Sequence, residues 1–304
     1  MDGPTTVPGT ARLEVGHSFD LEASVHSGQS HRWRRDGHGA EWHWGIVYDN
    51  LVKIRSTRLG PSAAVCLEFS PAIAGGHDLA PQIGRFFRLD DDIESIRTDI
   101  SRDPRVAEMV GLYPGLRLLR VDPWECMVSF ICSANSNLAR IHANVESIAE
   151  AYGRRLVVDG HVRFTLPGPP ELAQVGERRL RGLGLGFRAP YVAAAATAVA
   201  EGALDLEALR RMAYPEAHER LMELPGIGPK IADCILLHSL DQLEAFPVDV
   251  WVRRALREWY FDGRKSPPDG KMAAWARDHF GRWAGYAELY LFHGRRLMGR
   301  PRPG

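Results

Sequence analysis

Cysteine is scarce: Cys66, Cys126, Cys132 and Cys234 are the four in 304 residues, with no C-x-x-C pair and no disulfide-scaffold spacing, so a reducing compartment is expected. None follows Cys234. A four-thiolate iron–sulfur cluster in the C-terminal segment is thereby excluded. Net charge is lacking too, since 38 Lys and Arg balance 38 Asp and Glu, and any polyanion site must be a local patch. There is no basic-then-apolar leader and no apolar run of about eighteen residues, so a soluble protein that is neither exported nor held in a membrane is expected. No internal repeat stands out.

The charge that is present is uneven. Residues 1–100 carry fourteen acidic against ten basic side chains, whereas residues 251–304 carry five against twelve. The C-terminal segment is therefore the candidate face for phosphate.

Residues 1–10 are rich in Gly, Pro and Thr and are expected to fray. From there to about residue 88, the segments 21–25, 31–34, 41–48, 51–55 and 64–69 mostly alternate apolar with polar side chains, and Tyr48-Asp-Asn-Leu51 has the composition of a hairpin turn. This predicts an antiparallel sheet with one face covered. Asp90, Asp91 and Asp92 cap a helix reaching about Arg97. From Leu116 onward the character is helical, over 124–132, 138–152, 171–175, 191–201, 205–212, 214–223, 231–240, 250–260, 271–283 and 287–297. Residues 154–170 read as an irregular connector ending in Pro169 and Pro170, which open the next helix. The predicted fold class is α+β: an N-terminal twisted antiparallel sheet over 1–115, then a mainly helical domain over 116–304.

Two of those helices flank Leu224-Pro-Gly-Ile-Gly-Pro-Lys230. Gly226 and Gly228 can take positive φ and leave backbone N–H groups bare enough to meet a phosphate oxygen. Such a turn grips a nucleic-acid backbone without reading bases. A plain helix–helix corner would use the same glycines, but Leu224 and Ile227 supply apolar anchors that a solvent loop does not need. Lys230 opens the second helix, facing whatever the turn holds, and Asp249 follows nineteen residues later.

A lysine amine is nucleophilic only when uncharged, so a catalytic lysine needs burial or cationic neighbours. Amines attack electrophilic carbon, such as a sugar C1′, and form Schiff bases. An aspartate opposite that carbon stabilises the positive charge that builds as a glycosidic bond breaks. Taken singly, Asp249 is equally an N-cap for the helix after it, and Lys230 a phosphate contact.

Leu224-Pro-Gly-Ile-Gly-Pro-Lys-Ile-Ala-Asp-Cys234 with Phe246-Pro-Val-Asp249 closely resembles the helix-hairpin-helix DNA glycosylase superfamily, in the branch of 8-oxoguanine DNA glycosylases. The resemblance extends to Phe130-Ile-Cys-Ser-Ala-Asn-Ser-Asn-Leu-Ala-Arg-Ile141, Leu183-Gly-Leu-Gly-Phe-Arg188 and Ser27-Gly-Gln-Ser-His-Arg-Trp33, and more weakly to Gly285-Tyr-Ala-Glu-Leu-Tyr-Leu-Phe292. It implies a helical domain of two lobes with the helix-hairpin-helix at about 214–240. Lys230 would be the Schiff-base nucleophile and Asp249 the catalytic carboxylate. Asn135 would fill the space left by the flipped nucleotide, Arg140 and Arg188 would contact the widowed cytosine, and Phe187 would wedge beside it. Cys234 and Phe292 would sandwich the purine. The Gly28 carbonyl would accept the N7–H of 8-oxoguanine, Glu288 would meet the base edge, and Gly226 and Gly228 would hold the backbone.

Four positions depart from the family pattern. Glu288 stands where glutamine is usual, Phe187 replaces a tyrosine, Trp251 a histidine and His31 an aromatic packing residue. Without the resemblance, Asn135 reads as a helix N-cap, Arg140, Arg188 and Glu288 as solvated charges, and Phe187, Cys234 and Phe292 as core. The implied activity is bifunctional glycosylase/AP lyase, without cofactor or catalytic metal. Its partner would be duplex DNA containing 8-oxoguanine opposite cytosine, bound by a monomer in the cytoplasm or nucleoid of a bacterium or the nucleus of a eukaryote. An alkylated-base glycosylase of the same fold would need no lysine. A non-catalytic helix-hairpin-helix DNA-binding protein would have no obvious use for the sheet or the asparagine block. The basic C-terminal segment counts against a purely structural role.

Overall fold

A computed structural model describes residues 6–7, 9–16, 18–36, 41–58, 64–261 and 266–298. Strands β1 (Thr6–Val7) and β2 (Ala11–Gly16) come first, so part of the stretch expected to fray is paired; residues 1–5 lie outside the described residues. The next segment, α1 (Leu21–Val25), is one helical turn and not the predicted strand: Asp20 caps it by accepting from the Ala23 amide at 2.8 Å. Then follow β3 (Arg34–Arg35), β4 (His43–Val47), β5 (Asn50–Arg58), β6 (Val65–Ser70), β7 (Ile73–Ala74) and β8 (His77–Asp78). The main sheet is antiparallel in the order β2-β6-β5-β4-β3, with β1-β7-β8 as a small second sheet. The turn between β4 and β5 falls one residue before the predicted Tyr48–Leu51. Tyr48 and Asp49 both have positive φ, 44° and 65°, the geometry of a two-residue hairpin loop.

The helix expected after Asp90–Asp92 is α3 (Ile93–Ile100), capped by Asp92; α2 (Ala80–Phe86) and α4 (Pro104–Leu112), which flank it, were not expected, and α5 (Pro123–Cys132) and α6 (Leu138–Tyr152) follow. Residues 154–170 are not irregular: β9 (Arg155–Val158) and β10 (His161–Phe164) form a hairpin. It packs Leu156 and Val158 against Trp44, Ile46 and Leu51, so β4 is buried on both faces instead of one. The remaining helices are α7 (Pro169–Leu180), broken at Gly176, α8 (Ala189–Ala200), α9 (Leu206–Arg211), α10 (Tyr214–Met222), α11 (Pro229–Ser239), α12 (Val250–Trp259), α13 (Asp269–Phe280) and α14 (Ala284–Met298).

Most helix starts are written locally. Asp92, Asp103, Asp122, Asn137, Asp205 and Asp249 each cap a helix through the side-chain oxygen, and Pro104, Pro123 and Pro229 open α4, α5 and α11. One continuous apolar core joins the sheet to the helices. The last helix returns to the first ones: Tyr290 Oη accepts from Arg97 at 3.1 Å, and a Cβ on Gly294 would lie 2.1 Å from Met109 Sδ. This return brings α14 alongside elements that precede it by most of the chain.

Candidate active site

The helix pair around the glycine motif is fixed from two sides. Gly226 has φ +84°, and a Cβ there would stand 2.3 Å from the Tyr191 ring of α8, so both conformation and space demand glycine. Tyr214 Oη donates to the buried Asp233 Oδ1 at 2.7 Å, tying α10 to α11. Gly228 departs from expectation: its backbone is extended (φ −95°, ψ 179°), and its carbonyl accepts from Ile231 and Ala232 as the N-cap of α11. No atom lies within 4 Å of where its Cβ would be, which leaves the main chain open to a ligand.

Lys230 sits on the first turn of α11. Its Nζ lies 3.4 Å from Ser133 Oγ and 5.1 Å from the centre of the Phe130 ring, both at the C-terminal end of α5. Asp249 enters from the start of α12, where Oδ1 accepts from the Trp251 and Val252 amides at 2.8 Å each. Burial raises its carboxyl above the usual range, against the pull of the Val252 amide and of Lys230. One oxygen thus serves the cap, and the other is left for chemistry.

Both side chains line a cavity of about 1120 Å³, shared with Gly28, Asn135, Cys234, Glu288 and Phe292. Gly28 has φ +106°, which is what excludes other residues, because a Cβ would only touch Leu138 at 3.4 Å. Its loop is held rigidly: Gln29 Nε2 donates to Arg117 O and Gln29 Oε1 accepts from Leu119 N, each at 2.9 Å. Burial pushes the Cys234 thiol up to about 12, so it packs as an apolar atom and is no nucleophile. On α14 the Glu288 carboxyl is 6% exposed and is held well above the carboxylate range, by burial first and by Asp249 second. Phe292 follows one turn later.

A family model for the N-terminal domain of 8-oxoguanine DNA glycosylase matches residues 12–127, and one for HhH-GPD superfamily base excision DNA repair proteins matches residues 128–277. A probable N-glycosylase/DNA lyase of Methanothermobacter thermautotrophicus is 34% identical, covering 96% of this chain and 99% of its own. The chain belongs to the 8-oxoguanine DNA glycosylase family. N-glycosylase/DNA lyase OGG1 of Arabidopsis thaliana is 31% identical over 95% of this chain and 80% of its own. A Clostridium acetobutylicum 8-oxoguanine glycosylase/lyase, solved with double-stranded DNA containing cytosine opposite 8-oxoG, aligns with a TM-score of 0.85 at 28% identity, covering 99% and 100% of the two chains.

In this 8-oxoguanine DNA glycosylase family member, Arg140, Phe187, Arg188 and Gly226 lie outside the cavity wall. Arg188 differs most from expectation. It is 1% exposed, and its guanidinium donates to Ala134 O at 2.8 Å and Asn135 O at 2.9 Å. It therefore holds the turn that carries Asn135. Asn135 is no N-cap, since Asn137 caps α6; Asn135 is exposed with φ +47°. Phe187 is 46% exposed, with the Arg188 guanidinium 4.4 Å from its ring, and Arg140 is exposed close enough for its charge to reach Arg188.

Residue types alone missed the platform under Lys230. His238 stacks on Phe130 at 5.5 Å and His31 meets its edge at 5.8 Å, and burial pushes both imidazoles down to about 3, hence neutral. Phe130 and Ser133 stood inside a recognised block, whereas His238 had only helical spacing to mark it.

Proposed function

We propose that this chain is a bifunctional DNA glycosylase/AP lyase of base excision repair that removes 8-oxoguanine lying opposite cytosine. The observation that carries this reading is that Lys230 and Asp249 line one cavity, with the Lys230 charge close enough to act on the Asp249 carboxyl. The Gly226 hairpin grips the backbone beside that cavity, and the damaged nucleotide rotates out of the duplex into it. Asn135 takes the vacated place, while Arg140, with Phe187 and Arg188 behind it, meets the cytosine.

Inside, the purine lies between Cys234 and Phe292, with Glu288 at its edge. The Gly28 carbonyl accepts N7–H, a donor that guanine lacks, and an unmade bond of this kind costs about 1–3 kcal/mol. The lone pair of Lys230 Nζ attacks C1′ as the glycosidic bond breaks; the bonding pair leaves with the base, which takes up a proton. The ionised Asp249 stabilises the positive charge on the sugar during this step. Nitrogen then loses a proton, and its lone pair forms the C1′=N bond as the C1′–O4′ pair departs to O4′, which takes up a proton, giving a Schiff base. Loss of a C2′ proton expels the 3′ phosphate by β-elimination. The enzyme works as a monomer wherever the cell keeps its DNA, nucleoid or nucleus.

Borohydride trapping tests the reading. Wild type on duplex with 8-oxoguanine opposite cytosine gives a covalent complex, and Lys230→Gln gives none. Absence of both complex and base release from wild type would leave only a DNA-gripping protein.

A further inference from the structure

Two residues before Gly28, three metal-ligating side chains converge away from the cavity wall. Glu22 and His26 are four residues apart on α1, His26 being its C-cap, so they project to one side of that turn. His43, the first residue of β4, meets them from the sheet. His26 Nε2 stands 3.2 Å from His43 Nδ1, and Glu22 Oε2 stands 3.5 Å from His43 Nε2 and 3.8 Å from His26 Nε2. One ligand atom from each can be chosen so that all lie within 4.8 Å of one another. A tetrahedral zinc with bonds of about 2.0–2.1 Å keeps its ligand atoms about 3.3 Å apart; His43 can offer it only one nitrogen, and with Nε2 in that role the two pairs made by Glu22 lie at 3.5 and 3.8 Å while the two imidazoles are within 4.8 Å, a set that closes on an ion by small side-chain rotations.

We infer that Glu22, His26 and His43 form a binding site for a divalent transition metal, with zinc the best fit to two imidazoles and a carboxylate and water completing the shell. Arg35 donates to both Glu22 oxygens, Nε at 3.0 Å to Oε2, and is the group that a cation must displace or share the carboxylate with. Its side chain is 65% exposed, and pairs of that kind add little. Asp20, whose charge reaches His43, is committed to capping α1. The metal would tie α1 to β4 immediately before the loop that carries Gly28. The site stands independently of the roles given to Lys230 and Asp249.

The same distances also fit a metal-free hydrogen-bonded chain from His26 through His43 to Glu22, and titration separates the two. Chelator-treated full-length protein is titrated calorimetrically with zinc chloride, and melted with and without it. The expected result is one zinc per chain, a raised Tm, at least tenfold weaker binding by Glu22→Gln and by His26→Gln, and unchanged binding by Lys230→Gln. Glu22 and His26 are partly exposed, so these variants should fold, which circular dichroism checks. No saturable zinc binding by wild type, or unchanged binding by the Glu22→Gln/His26→Gln double variant, would overturn the assignment.

Discussion

Replacing Asp249 by asparagine separates the two tasks of one carboxyl group. Capping uses Oδ1, which accepts both first-turn amides of α12 at 2.8 Å, and asparagine keeps an oxygen there and ranks with aspartate as a cap. The charge is a separate matter. Burial raises this carboxyl, and a folded-state pKa above the unfolded one gives stability that is complete below the unfolded value and lost as pH rises through the folded one. At pH 7 the ionised group is thus a burial cost that the amide lacks, and Asp249→Asn should melt at or above wild type. Asp249→Ala loses the cap as well, worth about 1 kcal/mol, or about 2–4 °C in a chain of this size. Catalysis should respond differently: withdrawing a charge aimed at a developing cation costs about 3–4 kcal/mol, or about 10²–10³ in rate. Single-turnover release of 8-oxoguanine measures the rate, and fluorescence anisotropy the duplex affinity, which should stay within about threefold because the hairpin is untouched. Excision by Asp249→Asn within tenfold of wild type, or melting as low as Asp249→Ala, would refute the reasoning.

Other positions respond in distinct ways. Gly226→Ala must place a Cβ 2.3 Å from the Tyr191 ring at φ +84°. It should lose about 2–5 kcal/mol in denaturant melts, the sum of left-handed strain and overpacking, and weaken binding to damaged and undamaged duplex alike. Arg188→Ala strands the carbonyls of Ala134 and Asn135 and should cost about 3 kcal/mol, with no recovery in Arg188→Lys; wild-type stability in either variant would contradict the bracing role. Burial pushes the Glu125 carboxyl up to about 7, so its contribution is complete below its unfolded pKa and fades as pH rises through 7. Wild type should therefore lose on the order of 3 kcal/mol relative to Glu125→Gln between pH 4.5 and pH 8, and a constant gap in chemical melts across that range would count against it.

How much of this was legible in the sequence depended on how local the signal was. The Asp92 and Asp249 caps and the glycine hairpin are each encoded within a few residues and lie where the residues placed them; the β4–β5 turn falls one residue early, and α6 is capped by Asn137 and not by Asn135. The segment Leu21–Val25 misled because five residues are too few to tell a strand from one helical turn; Asp20 was the deciding feature. The signal for the β9–β10 hairpin is Asp159-Gly160, with φ 48° and 78°, between Val157-Val158 and His161-Val162, the usual two-residue turn. Lys230, Asp249, Gly28, Asn135, Cys234, Glu288 and Phe292, which share the cavity, could be named because their blocks are compact. The fate of Arg188 could not, since a guanidinium's partners depend on which carbonyls the fold brings near, and Ala134 lies more than fifty residues upstream.

That fate bears on how the site meets DNA. Asn135 is a non-glycine residue at φ +47°, a conformation that persists only where its surroundings fix it. They do so from two directions: Arg188 binds the carbonyls of Ala134 and Asn135, and Asn137 accepts from the Arg140 amide to start α6 at once. The turn is thus braced before any duplex arrives, with Asn135 presented to solvent. Across the cavity, burial lifts the carboxyls of Asp249 and Glu288. Backbone strain on the wall that would enter the helix, and buried carboxyl groups on the wall that would face the sugar and base, are both costs to folding. Their concentration at a single cavity is what a site arranged for a transition state, at the expense of stability, would show. If so, relaxing either wall should raise the melting temperature while lowering turnover. Asp249→Asn is one such change and Asn135→Gly the other: glycine relieves the left-handed strain and removes the side chain that would occupy the vacated base position. A gain in Tm with undiminished excision by Asn135→Gly would show that the strain serves something else.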